Sequence, residues 1–249
     1  MQDLQPPKKN KRRDRGRARD HDIDRKRDRT AKPAAFVAPC PRTPAQAQLY
    51  ELLRRPNGPC IVTVLGPAGT GKTASVVSVA IERLLMNEYI NVLLCRPTVT
   101  MGDEKMGALP GGLEAKLEPF MAPFFDVVDP LELKRLKAAG SVKTVSLAHL
   151  RGQTFKDSFV VVDEAQNCTQ TETRTLLTRL GDRSKIVLVG DPMQSDLPGP
   201  AGLNGLAHYA RNKCADRWTE HFAFADADCQ RHPAVRTVLE FYAAEKAKS

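Results

Sequence analysis

Chemically capable side chains cluster in three short stretches of this chain. "GPAGTGKT", Gly66 to Thr73, fits the phosphate-loop pattern G-x-x-x-x-G-K-[ST]. Its glycines at 66, 69 and 71 let backbone N–H groups turn toward phosphate oxygens, with Pro67, Ala68 and Thr70 completing the loop. Lys72 is spaced to reach β- and γ-phosphates, and the Thr73 hydroxyl to take Mg²⁺. The implied ligand is a purine nucleoside triphosphate with magnesium. "VVVDEAQN" ends an apolar run in two adjacent carboxylates, Asp163 and Glu164. Like charges side by side at the end of a buried strand repel each other and resist desolvation, so something positive should face them. A strand-end Asp163 is placed to hold Mg²⁺, usually through water, and Glu164 to polarise an attacking water as general base. A kinase for small molecules needs an acceptor pocket rather than this base, so the pair argues for hydrolysis. "IVLVGDPMQSDLPG" then places Gln194 three residues beyond Asp191, where its amide either meets a γ-phosphate or faces solvent.

These stretches need strands and helices to aim them. Thr43 is an N-cap with Pro44 in the first turn, opening a helix over "TPAQAQLYELLRR". Strands are expected at Ile61–Leu65, Asn91–Cys95, Val142–Leu147, Phe159–Val162 and Lys185–Val189, with an edge strand at Thr219–Phe224. Helices are expected at Ala74–Asn87, across most of 113–139, at Thr169–Leu180 and at Pro233–Lys246. Fully apolar strands alternating with helices mean an α/β, mostly parallel sheet with helices on both faces.

Charge divides the chain. Residues 1–32 hold thirteen Lys/Arg and six Asp, a net +7 of the total +9. With almost no apolar residues, residues 1–35 are expected to be a disordered basic tail, either a nonspecific polyanion-binding arm or a solubilising one. Residues 36–249 then form one domain. No apolar run approaches a bilayer span, so no membrane partner is expected. The six cysteines, at 40, 60, 95, 168, 214 and 229, show no CxxC spacing, which fits free thiols in a reducing cytoplasm and no zinc site.

"GPAGTGKT", "CRPTV" with "GDEKMGALPGG", "LAHLRGQTF", "VVVDEAQN", "VGDPMQSDLP" and "RHPAV" occur in the order found in PhoH-like proteins, and the chain resembles that family from about residue 43 to 245. Six motifs agreeing in order and spacing make the resemblance specific. It implies a RecA-like P-loop ATPase related to the first domain of superfamily 1 helicases, acting on RNA or single-stranded nucleic acid. It also implies that Gln46 reads adenine, which spacing alone does not separate from Gln48, that Gln194 senses the γ-phosphate, and that Arg231 contacts it. Where Arg231 cannot reach its own nucleotide, a neighbouring subunit must complete the site, which motivates a homo-oligomeric ring, possibly six-membered. The competing reading is an ATP-dependent switch or adaptor without helicase activity. Arg96, Lys105, Arg151 and the Gly102–Gly112 loop are candidates for nucleic-acid phosphates or for structural ion pairs. Phe120, Phe124 and Phe125 are expected in the core, and His149 is read as structural. Asn204-Gly205-Leu206 stands where the family has Ser-Gly-Leu. The basic tail takes the place of a fused RNA-binding or PIN nuclease domain, so ribonuclease activity is not expected, and the compact form fits a phage-encoded copy.

Overall fold

The computed structural model describes residues 40–97, 122–125, 127–147, 154–195, 197, 202–206, 217–235, 237, 238 and 241. Helix α1 (Pro44–Arg54) leads to β1 (Ile61–Leu65), α2 (Lys72–Leu85) and β2 (Asn91–Arg96). The short α3 (Ala122–Phe125) and α4 (Pro130–Ala138) precede β3 (Val142–Ser146) and β4 (Ser158–Val162). Helix α5 (Gln170–Leu177), β5 (Lys185–Gly190) and β6 (Thr219–Ala223) follow. The expected strands are all present to within two residues at either end, and Thr43 caps α1 by accepting from the Gln46 N–H at 3.1 Å.

The strands form one six-stranded sheet in the order β3-β2-β4-β5-β1-β6, and every pairing is parallel. Parallel strands are buried on both faces, which is why β1, β4 and β5 read as continuous apolar runs. Alternate side chains divide between two cores. Val62, Val64, Val92, Leu94, Phe159, Val161, Val187 and Val189 pack against α1, α2, α3 and α4. Leu65, Cys95, Val160, Val162, Ile186 and Leu188 pack on the other face against Leu176 of α5 and Leu203. Arg54 of α1 and Glu82 of α2 form an ion pair at 2.5 Å that joins these two helices.

The aromatic expectation divides: Phe124 is fully buried, but Phe125 is 49% exposed because the helix holding both is a single turn and buries one face. Phe120, Lys105, Arg151, His149 and the Gly102–Gly112 loop lie outside the described residues, as does most of the expected closing helix. The five described cysteines form no disulfide with one another, and burial pushes the thiols of Cys95 and Cys168 up to about 12. Among the described residues, no helix is long and apolar enough to cross a membrane.

One buried charge fixes how α1 meets the sheet. Lys185 opens β5, is 4% exposed, and donates to the Leu53 carbonyl oxygen near the C-terminus of α1 at 3.2 Å. A cation there also meets the negative end of the helix dipole. Burial pushes its pKa down to about 8. The unfolded chain therefore binds more protons between about pH 8 and the ordinary lysine value, and this residue's share of stability rises as pH climbs through that window. Lys185→Met should remove the dependence. Relative to the unmutated chain it should stand best near pH 7 and lose up to about 3 kcal/mol by pH 10. Melting temperatures of the two proteins across that range check this, and a constant difference would refute it.

Candidate nucleotide-binding site

The C-terminal ends of β1, β4 and β5 lie side by side in the sheet, and the segments leaving them build one site. This is where open α/β sheets bind ligands. After β1 the chain turns through Gly66–Gly71 into the N-terminus of α2, whose free N–H groups and dipole suit an anion. Gly69 and Gly71 have φ of +86° and +77°, values that L side chains rarely adopt. Both also leave no room for a Cβ. One at Gly69 would fall 2.4 Å from Arg231 Cγ, and one at Gly71 would fall 2.8 Å from Gln46 Nε2. Thr70, fully buried, donates its hydroxyl to the Pro67 carbonyl at 3.1 Å.

Lys72 curls back over the loop and donates to the carbonyl oxygens of Gly66 and Pro67, both at 2.7 Å. Burial lowers its pKa. Asp191, Glu164 and Asp163 act against that, in decreasing order, and Arg231 adds to it. The ammonium therefore sits among three carboxylates and one guanidinium, all beside the phosphate loop.

Asp163 directly follows β4 and is 3% exposed. Its Oδ1 accepts from the Thr73 hydroxyl at 2.7 Å. Its Oδ2 accepts from Arg96 Nε at 2.9 Å and from a second guanidinium nitrogen of Arg96. Glu164 takes a left-handed backbone, φ +55°, and is exposed, so the chain turns sharply between the two acids and sends their side chains apart. Glu164 Oε2 accepts from Gln166 Nε2 at 2.6 Å. Gln166 is 2% exposed, and its Oε1 accepts from the Asp191 N–H at 3.1 Å. Its carbonyl oxygen also accepts from Ser195 Oγ at 3.1 Å. One amide thus bridges the ends of β4 and β5.

Asp191 caps the 3₁₀ turn Pro192–Gln194, accepting from the Met193 N–H at 3.0 Å and from Gln194 Nε2 at 2.8 Å. Gln194 is exposed at that tip with its amide donated to Asp191. Gln46 and Gln48, inseparable by spacing, separate in space. Gln46 is 7% exposed and donates to the Thr70 carbonyl at 2.9 Å, whereas Gln48 faces solvent.

Arg231 lies against its own phosphate loop. The Gln230 N–H donates to the Gly69 carbonyl at 2.9 Å, and Cys229 Sγ to the Ala68 carbonyl at 3.4 Å. Its side chain packs against Gly69 of the same chain. Arg96, a candidate for nucleic-acid phosphates or for a structural ion pair, is paired with Asp163.

The donor set fits magnesium: a carboxylate and a hydroxyl, both hard oxygens, with the remaining positions left to water and phosphate. Among the described residues no group of three or more His, Cys, Asp or Glu could hold a metal by itself. Magnesium sites completed by substrate phosphates do not need one.

Sequence reasoning did not assign roles to Asp191 or Gln166, nor see Arg96 on Asp163. Two of them carried a signal. Gln166 stands two residues beyond Glu164 within the acidic motif, and Asp191 ends an apolar strand just as Asp163 does.

Fold and site together define a P-loop protein of the α/β class, with a RecA-like parallel sheet. The family is also defined: a model described as PhoH-like protein matches residues 40–243, and the chain belongs to that family. It is 40% identical over 187 residues to a PhoH-like protein of Synechocystis sp., covering 72% of this chain and 55% of the relative. It is 42% identical over 181 residues to protein PhoH2 of Bacillus subtilis, covering 68% of this chain and 40% of the relative. The chain therefore spans about half the length of the curated relatives it matches. Among solved structures it is similar to a Sulfolobus solfataricus SWI2/SNF2 ATPase core in complex with dsDNA, with TM-score 0.40 and 18% identity over 67% of this chain and 35% of that one.

The Gln166 bridge yields a test. Gln166→Ala strands the buried Asp191 N–H and frees the Glu164 carboxylate. It should cost about 1–3 kcal/mol of unfolding free energy, read by urea titration. A loss below about 0.5 kcal/mol would mean that the bridge is not a structural tie.

Proposed function

We propose that this domain hydrolyses ATP with Mg²⁺, and that it uses the energy on RNA or single-stranded nucleic acid. The observation that supports it most is the pair of acids after β4: Asp163 tied to the phosphate-loop Thr73, and Glu164 turned away from it. In this reading the backbone of Gly66–Gly71 cradles the phosphates and Lys72 exchanges its two loop carbonyls for phosphate oxygens. Thr73 and Asp163 hold the magnesium, which when bound offsets the phosphate charge. Glu164, kept in place by Gln166, takes a proton from the attacking water. Gln194 leaves Asp191 to contact the γ-phosphate, and Arg231 stabilises charge on it from within the same chain. Gln46 braces the loop through Thr70 and presents its remaining N–H at the adenine end.

The nucleic-acid part rests on membership of the PhoH-like family and on the net charge of +7 in residues 1–32. In this proposal residues 1–35 are a polyanion-binding arm and residues 36–249 the motor domain, working in the cytoplasm. A homo-oligomeric ring, six-membered in its simplest form, belongs to the same proposal and rests on the resemblance alone. The second reading, an ATP-dependent switch or adaptor without helicase activity, draws on the Gln166 bridge. That amide links the general base to the β5 tip, where a change in phosphate state would be passed on.

Glu164→Gln should bind ATP within about three-fold of the unmutated affinity and lose at least about 100-fold in turnover, within the usual size of general-base effects. Retained turnover would remove Glu164 from the chemistry. A panel of single-stranded RNA and DNA in the same ATPase assay separates the two readings. Stimulation that falls with salt supports the motor, and none with any polynucleotide supports the switch.

A further inference from the structure

The partner of Arg96 has a consequence for magnesium. Asp163 is nearly enclosed, and both of its oxygens are engaged from opposite sides. Thr73 approaches Oδ1 from the phosphate-loop side. Arg96 approaches Oδ2 from the β2 side with two N–H groups of one guanidinium. The sheet builds this second contact. Cys95 and Val162 are in register, the Asp163 N–H donates to the Cys95 carbonyl at 2.9 Å, and Arg96 is the next residue along β2. The Arg96 side chain is itself only 26% exposed, so water screens the pair weakly.

We infer that Arg96 competes with the divalent cation for Asp163, so that metal occupancy of the nucleotide site is read out at the C-terminal end of β2. The inference rests on the reading above, in which Asp163 and Thr73 hold the magnesium of ATP. A dication on the Asp163 carboxylate would lie within a few ångströms of the Arg96 guanidinium. Two positive charges that close, both largely out of water, repel strongly. Each would weaken the other's hold on the carboxylate: either the ion pair loosens, or the metal is held off until nucleotide phosphates add enough negative charge to outbid the guanidinium. Either way Arg96 raises the magnesium concentration needed to load the site, and metal loading pushes the Arg96 side chain off β4. Arg96 is thus a positioning residue that sets when the metal is accepted. Arginine suits the task because it stays charged at any working pH and forks onto a carboxylate.

The test is the magnesium dependence of nucleotide binding, followed with a fluorescent ATP analogue by anisotropy in the full chain. Arg96→Gln keeps a hydrogen-bond donor and removes the charge; Arg96→Lys keeps the charge and loses the fork. Arg96→Gln should lower the magnesium midpoint about ten-fold, the scale of one charge-assisted hydrogen bond, with Arg96→Lys in between. Affinity measured in EDTA should change less than about two-fold, because the contest exists only when metal is present. A midpoint that stays put or rises in Arg96→Gln, in a protein with unchanged circular dichroism, overturns the inference, since Arg96 would then be orienting Asp163 for the metal. Should Arg96→Gln fail to fold, Arg96→Lys carries the same test with a smaller shift. Magnesium-independent binding in the unmutated chain would defeat the magnesium assignment itself, which distinguishes that failure from this one.

Discussion

The hydrogen bond from Thr73 to Asp163, 2.7 Å between residues ninety positions apart, is the contact on which the site depends. It joins the first turn of α2 to the end of β4, two elements that are not sheet neighbours. Strand β5 lies between β4 and β1, paired to both. For the bond to form, all three strands must be in correct register, because a slip of one residue sends every side chain to the opposite face. The register holds because each face has its own core, so a slipped strand would move its valines and leucines into the wrong layer. The chemistry is thus secured by burial elsewhere in the sheet, not by the strength of the bond itself.

That arrangement concentrates charge. Asp163, Glu164 and Asp191 surround the ammonium of Lys72, with Arg96 and Arg231 close by. Three anions and three cations at one sheet edge are tolerable only if each finds a partner. Asp163 has Thr73 and Arg96, Asp191 has the Met193 N–H and Gln194, and Glu164 has Gln166. Lys72 is satisfied by two loop carbonyls, bonds that are individually modest in a chain otherwise well paired. A ligand that offers phosphate oxygens in their place gives that ammonium a fully charged partner.

Much of this was legible in the sequence. The strands were readable because parallel strands buried on both faces leave uninterrupted runs such as Phe159–Val162 and Ile186–Val189. The phosphate loop and the two acids were readable because their spacing is local and their residue types admit few other uses. What stayed hidden was contact between distant segments. Nothing near Gly69 says that Arg231 will lie 162 positions later against it, and nothing near Asp163 says that Arg96 will take its second oxygen. Gln46 and Gln48 have the same chemistry, and only the rotation of α1 decides which one meets the loop. Of the phenylalanines at 124 and 125, both expected in the core, Phe124 is buried and Phe125 is not, for a related reason. This single helical turn buries Pro123 and Phe124 and leaves Ala122 and Phe125 on the outside.

The two adjacent acids remain the most informative feature, because the structure gives them opposite surroundings within one peptide unit. Asp163 is buried, and Glu164, one residue on, is exposed. The separation comes from the left-handed backbone at Glu164, which costs an L-residue of this kind roughly 1 kcal/mol or more. A chain without need of it would place glycine or asparagine there. The strain persists because the turn is held on both sides: the Asn167 N–H closes the 3₁₀ turn onto the Glu164 carbonyl at 3.0 Å, and Gln166 holds the carboxylate. A relaxed backbone would continue β4 and put the Glu164 side chain across the sheet from Asp163, away from the phosphate loop. The local strain is what lets one carboxylate face a cation while its neighbour stays beside the loop and open to water, and that division of labour is the strongest physical argument that the site is built for hydrolysis.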